Sequence, residues 1–291
     1  MVKIIGDTTS GLPETYAQQY DIPIIPQVIN IDGVSYLEGI DIDYDTFLAR
    51  LKTARELPKT AAPYPERFVE AFQRFAPSKE SILCILPSAM VSGTVRSATV
   101  ALQMAVEQGL PNLDVRIIDT QLIASPVATL LKLAAEWAAA GLDADTIETR
   151  VRTMARRGKI YFSVATLKYL AMGGRIGGAA ALVGSALQVK PVLTFRDGQI
   201  EAFEKIRTHK RAVDRLKELV MTQFSQDGDG FLSIMHADVA DEAQDLADEM
   251  RARLGLSEVP IVAVPPAIVT HGGPGVLGVG FFTDEQRKIN S

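Results

Sequence analysis

Short apolar runs that end in polar or Gly/Pro clusters alternate, along the first half of the chain, with longer stretches whose apolar positions recur at helical spacing. That alternation predicts βα units and a mainly parallel sheet. Strands are expected near 2–6, 22–29, 81–86 and 114–118. Helices are expected at 13–20, 43–55, 65–75 and 92–108, each opened by Pro, Asp or Ser where a cap belongs. Leu122 to Ala140 is apolar nearly all round, broken only by Lys132 and Glu136, which predicts a helix packed on more than one side.

A further helix at 143–156 leads into Arg156-Arg157-Gly158, a boundary near 160. The pattern then changes. Strands near 160–165, 189–195 and 199–207 flank Asp197-Gly198, a hairpin turn pair that implies an antiparallel ribbon. Helices at 209–224 and 240–254 precede Pro260-Ile-Val-Ala-Val-Pro265 and a glycine-rich end. The expected fold is α/β with two domains, 1–160 and 161–291. The N-terminal domain carries a mainly parallel sheet, and the C-terminal one a mixed or antiparallel sheet flanked by helices. A length of 291 residues agrees with two domains, since single cores stop growing at roughly 250–300 residues.

Composition adds exclusions. Apolar residues make up 47% and aromatic residues only 7%, so the apolar content is mostly aliphatic. With 22% charged residues the chain is neither disordered nor fibrous. Thirty Lys+Arg against 35 Asp+Glu give a net charge of −5 without a basic block, which argues against nucleic acid as a partner. The one cysteine, Cys84, lies in the apolar run 81–86 and reads as a core residue. An acidic residue as early as Asp7 does not suit a signal peptide, and the longest uncharged stretch, Ile176 to Val189, is too short to span a membrane. A cytoplasmic location is expected, without an integral membrane segment.

Four loops place a hydroxyl, a cation or an imidazole among residues that let the backbone approach a ligand. Pro58-Lys59-Thr60-Ala61-Ala62-Pro63 reads first as a rigid extended connector with Thr60 facing water. Ser88-Ala89-Met90-Val91-Ser92-Gly93-Thr94 follows a parallel strand and opens a helix, where free N–H groups favour an anion, although Ser92 could simply cap its helix. Gly173-Gly174-Arg175-Ile176-Gly177-Gly178 surrounds a planar donor fork with bare backbone, suited to a carboxylate or phosphate. Thr270-His271-Gly272-Gly273-Pro274-Gly275 sets an imidazole at an expected strand end, whereas His209 and His236 look ordinary. Gly273-Pro-Gly275-Val-Leu-Gly278 matches GxGxxG, but only 13 residues follow it, too few for a dinucleotide fold. There is no P-loop, no zinc signature and no GxSxG elbow, so neither a metal nor a cofactor is expected.

Read together, Asp7-Thr8-Thr9-Ser10, Ser92-Gly93-Thr94, Leu167-Lys-Tyr-Leu170-Ala-Met-Gly173-Gly174-Arg175-Ile176, Lys190-Pro191-Val-Leu193 and His271-Gly-Gly-Pro274-Gly275 resemble, in order and spacing, the DegV family of bacterial fatty-acid-binding proteins. The resemblance implies a long-chain fatty acid in an apolar tunnel between two α/β domains. It also implies that the protein is no catalyst itself but the acyl-carrying partner of a separate ATP-using fatty acid kinase subunit, which makes the acyl phosphate. Thr60 and Ser92 match the hydroxyls that hold the carboxylate. Arg175 and His271 match the cationic side of that site, with Gly93 and Gly174 as supporting backbone. The chain departs from the family pattern at Ala61-Ala62, where Ser-Gln is usual, and at Ala89 and Gly177, where Ser is common. A glycine-containing stretch is replaced by Ala124-Ser125-Pro126-Val127. Two rival functions are a serine hydrolase or acyltransferase using Ser92 with His271 as base and Asp7 or Asp119 to orient it, and a phosphate or nucleotide sensor.

Overall fold

The computed structural model describes residues 2–183 and 190–284. The chain divides between Arg156 and Arg157 into two compact units.

The first unit contains β1 (Lys3–Asp7), α1 (Glu14–Gln19), β2 (Ile24–Ile25), β3 (Val28–Ile31), β4 (Val34–Leu37), α2 (Tyr44–Thr53), β5 (Lys59–Ala61) and α3 (Pro65–Phe75). There follow β6 (Ile82–Leu86), α4 (Thr94–Glu107), β7 (Val115–Asp119), α5 (Ser125–Ala139) and α6 (Ala144–Arg157). β2-β1-β6-β7 form a four-stranded parallel sheet. Every residue of β6 is buried, as expected of a strand covered on both faces. α3 turns Phe68, Val69, Phe72 and Phe75 into this core, and α4 contributes Ala98, Ala101 and Ala105. These small residues let α4 approach the sheet closely.

The expected strand at 22–29 is instead two, β2 and β3, with Gln27 and Pro26 between them and only β2 in the parallel sheet. Proline has no N–H for a ladder, so the run breaks there. β3 belongs to a separate antiparallel sheet, β4-β3-β5, that the sequence pattern did not announce. The segment around Thr60 is correspondingly an edge strand and not a free connector.

The second unit holds β8 (Gly158–Ser163), α7 (Lys168–Met172), a 3-10 segment (Gly177–Leu182), β9 (Val192–Arg196), β10 (Gln199–Glu204) and α8 (His209–Gln223). It continues with β11 (Ser233–His236), α9 (Ala240–Leu254), β12 (Ile261–Ala263), α10 (Pro266–Gly272) and β13 (Leu277–Phe282). Its six strands order as β10-β9-β8-β13-β11-β12, all antiparallel neighbours except β11 and β12. The two α/β units, one sheet parallel and one mixed, are the expected fold. Asp197 and Gly198 both adopt positive φ, 49° and 77°, as a two-residue hairpin turn requires. Residue 189, the first of the strand expected at 189–195, lies outside the described residues. α8 and α9 pack Leu216, Leu219, Val220, Leu246 and Met250 against Ile234, Val279 and Phe281 of the sheet. Among the described residues, no helix is long and apolar enough to cross a membrane.

Candidate functional site

In the first unit, chain connections leave β1 toward β2 on one side and β6 toward β7 on the other. The carboxyl ends of β1 and β6 therefore flank a topological switch point, where loops diverge and leave a crevice. Asp7 ends β1, and the loop carrying Ser92 and Gly93 follows β6. The half-buried Thr60 sits on β5, paired with Ile29 of β3. Gly93 brings the two candidate hydroxyl segments together: a Cβ there would lie 2.9 Å from the Cβ of Ala62. The hydroxyl of Ser97, one turn into α4, bonds the carbonyl of Pro63 and fixes the same contact.

Ser92 is not the cap of α4, a position that Gly93 holds. The Ser92 Oγ lies 2.9 Å from Oγ1 of Thr94 and accepts a hydrogen bond from the Thr94 amide at 3.3 Å. Thr94 Oγ1 in turn donates to Oδ2 of Asp7 at 2.8 Å, and Nε2 of Gln27 donates to both Thr94 Oγ1 and Asp7 Oδ2 at 2.7 Å. Thr9 donates to the other carboxylate oxygen, from its hydroxyl at 2.6 Å and its amide at 3.1 Å. Asp7 is wholly buried. Burial pushes its carboxyl above the usual range, against hydrogen bonds from Thr9, Thr94 and Gln27 that pull it down. Sequence reasoning missed this network of Asp7, Thr9, Gln27 and Thr94. The available signal was the position of Asp7 at the end of the first parallel strand, followed by two threonines.

In the second unit, α7 and α10 pack together and bring Arg175 beside His271. α7 ends in a Schellman motif: the amide of Arg175 bonds the carbonyl of Leu170 at 3.1 Å and that of Gly174 bonds Ala171 at 3.2 Å, with Gly174 at φ 69°. That turn sends the chain back so that Nη1 of Arg175 donates to the carbonyl of Gly173 at 2.7 Å. Gly173 also packs flush on the imidazole, since a Cβ there would overlap Nδ1 of His271. The glycines around Arg175 thus have structural work as well. Gly177, at φ 51°, and Gly178 lie against Ile200 and Glu201 of β10, and a Cβ at Gly177 would overlap the Ile200 carbonyl.

His271 lies on α10, not at a strand end. Two prolines, Pro265 and Pro266, start this helix, the second at a position where its missing N–H costs nothing. Burial, with the adjacent Arg175 charge, lowers the His271 imidazole to about 4. At neutral pH it is an uncharged donor, and Arg175 alone carries the positive charge of this pair. Burial also lowers the Arg175 guanidinium from its ordinary value, which leaves it charged but incompletely hydrated, a state that an anion relieves.

A family model described as "Uncharacterised protein, DegV family" matches residues 1–284. The chain belongs to the DegV family. A DegV domain-containing protein of Streptomyces coelicolor is 36% identical over 280 residues, covering 96% of this chain and 97% of the relative. Among solved structures, a fatty acid binding DegV family protein from Streptococcus agalactiae superposes with a TM-score of 0.86 at 30% identity, over 98% of this chain and 99% of its own. A DegV family protein from Thermus thermophilus, described for its fatty acid binding, gives 0.87 at 27% identity, over 97% and 99%. The DegV resemblance carried by the dispersed motifs and the two-unit α/β fold are therefore those of this chain.

Proposed function

We propose that the protein binds a long-chain fatty acid and presents its carboxylate to a separate ATP-using kinase subunit for acyl phosphate formation. Thr60 and Ser92 in the first unit and Arg175 and His271 in the second are the proposed carboxylate contacts. The observation that carries the reading is the pairing of a partly dehydrated Arg175 with a neutral His271 in a chain whose fatty-acid-binding relatives share its fold end to end. A 16-carbon tail buried at roughly 0.8 kcal/mol per methylene gains on the order of 10 kcal/mol before ordering costs, so the tail provides affinity. The polar groups then orient the head.

A hydrolase built on Ser92 fits less well. All three histidines lie beyond residue 208, so the unit that holds Ser92 supplies no imidazole of its own. Neither candidate acid orients one: Asp7 is bonded to Thr9, Gln27 and Thr94, and Asp119 to the amides of Ala89 and Gln121. Mass spectrometry of lipid released by denaturing the purified protein tests the carrier reading. A stoichiometric fatty acid is expected, and Ser92-dependent turnover of an aryl ester by lipid-free protein would replace the carrier with an enzyme.

A further inference from the structure

The hydrogen-bond chain from Asp7 to Ser92 has two arrangements of its protons that keep all three contacts of the Thr94 hydroxyl as hydrogen bonds. Thr94 Oγ1 has one proton and two lone pairs. It meets three partners: Asp7 Oδ2 at 2.8 Å, Gln27 Nε2 at 2.7 Å and Ser92 Oγ at 2.9 Å. Gln27 always donates. With Asp7 ionised, the Thr94 proton goes to the carboxylate, and the remaining lone pair is filled by the Ser92 hydroxyl. Ser92 then has no proton to give and shows a ligand only a lone pair. With Asp7 protonated, Asp7 donates to Thr94, Thr94 donates to Ser92, and Ser92 already accepts the Thr94 amide at 3.3 Å. Both its lone pairs are used, and its own proton points away from the network.

We infer that Asp7 is a positioning residue acting through Thr94: Ser92 donates its hydroxyl proton to a ligand carboxylate when Asp7 is protonated, and turns it inward when Asp7 is ionised. The inference rests on the reading of Ser92 as a carboxylate contact. Its consequence is that an anionic head group binds together with a proton from solvent, which comes to rest on Asp7 Oδ2. The charge of the head is balanced without a cation in the first unit.

Among the described residues, no charged side chain is bonded to Asp7. The groups bonded to Asp7 are the neutral Thr9, Gln27 and Thr94. Around it, Glu38 is held by the Thr8 hydroxyl, Cys84 on β6 is a buried thiol, and Arg96 on α4 is exposed. On α5, Lys132 lies over the Tyr16 ring and Glu136 accepts the Tyr16 hydroxyl. On β1 itself, Lys3 pairs with Asp21 and Glu80.

The test is proton uptake on loading delipidated protein with oleate, read by a pH indicator in lightly buffered solution from about pH 5 to about pH 9. Wild type is expected to take up more protons per oleate than Asp7→Asn, by a difference approaching about one in the upper part of that range. Asparagine cannot ionise, so oleate affinity in Asp7→Asn should be flat where wild type weakens as pH rises. Thr94→Val cuts the relay while leaving Asp7, and is expected to lose the same uptake, which keeps the inference testable if Asp7→Asn does not fold. Uptake in a folded variant equal to that of wild type overturns the inference while the carrier reading stands. Failure of wild type to bind oleate overturns the carrier reading and this inference with it.

Discussion

Gly173 lies so close to His271 that no larger residue fits between the end of α7 and the imidazole. The same glycine carbonyl accepts the Arg175 guanidinium. One backbone position therefore sets both candidate head-group residues of the second unit. Gly173→Ala must push the ring aside, a clash of the kind that costs typically about 1–3 kcal/mol. A melting temperature lowered by several degrees, together with reduced co-purifying lipid, is expected; an unchanged melt would show that α10 yields freely.

The His271 imidazole gives a signed pH dependence. Its folded value, about 4, lies below the ordinary 6.5, so between those values the unfolded chain binds the extra proton and acid favours unfolding. Stability should be fully present above pH 6.5 and fall as pH drops toward about 4, by at most roughly 3 kcal/mol from this one group. Denaturant titrations at several pH values check it. His271→Gln should remove that component of the slope, and an unaltered slope would assign the acid sensitivity elsewhere.

Ala124, buried ahead of α5, holds φ 57° and ψ −142°, a region almost reserved for glycine. Relief of this strain by Ala124→Gly, worth about 1–3 kcal/mol, exceeds the added unfolded-state entropy of about 0.4–1 kcal/mol. The variant is expected to be more stable by about 1 kcal/mol in urea unfolding. A destabilised Ala124→Gly would mean that the methyl group packs better than the backbone suffers.

For the carrier function, Arg175→Ala should impair acyl phosphate formation with a kinase subunit more than it impairs lipid retention, because the tail holds the ligand and the guanidinium orients its head. Both can be measured on one preparation, by phosphate transfer from ATP and by bound lipid per protein. Equal losses would remove the division between tail and head.

Much of this architecture was legible because its signals are local. α3 announces itself by a proline at its start and phenylalanines at 68, 72 and 75, and the β9–β10 hairpin by Asp197-Gly198. Asp32-Gly33, with φ 51° and 85°, carries the same signal for β3–β4, but those strands have only four residues each and β4 is largely exposed. β11 and β13 were not expected, since four residues at 233–236 and a glycine-interrupted run at 277–282 lack a recognisable period. His271 was placed on the wrong kind of element because Ala267-Ile-Val269 has strand-forming composition, and only the prolines before it argue for a helix. The Asp7 network joins residues 7, 9, 27 and 94, and no short-range pattern connects these.

β13 is the last described strand, yet it lies inside its sheet, between β8 and β11. On the ribosome the first unit has all its strands once Asp119 has emerged. The second must hold β8-β9-β10 and β11-β12 as two ribbons with open edges until Phe282 is made. For that interval the unpaired edges of β8 and β11 are the places where a nascent chain can join the wrong neighbour, so the period of greatest risk of aggregation lies between the making of β11 and that of β13.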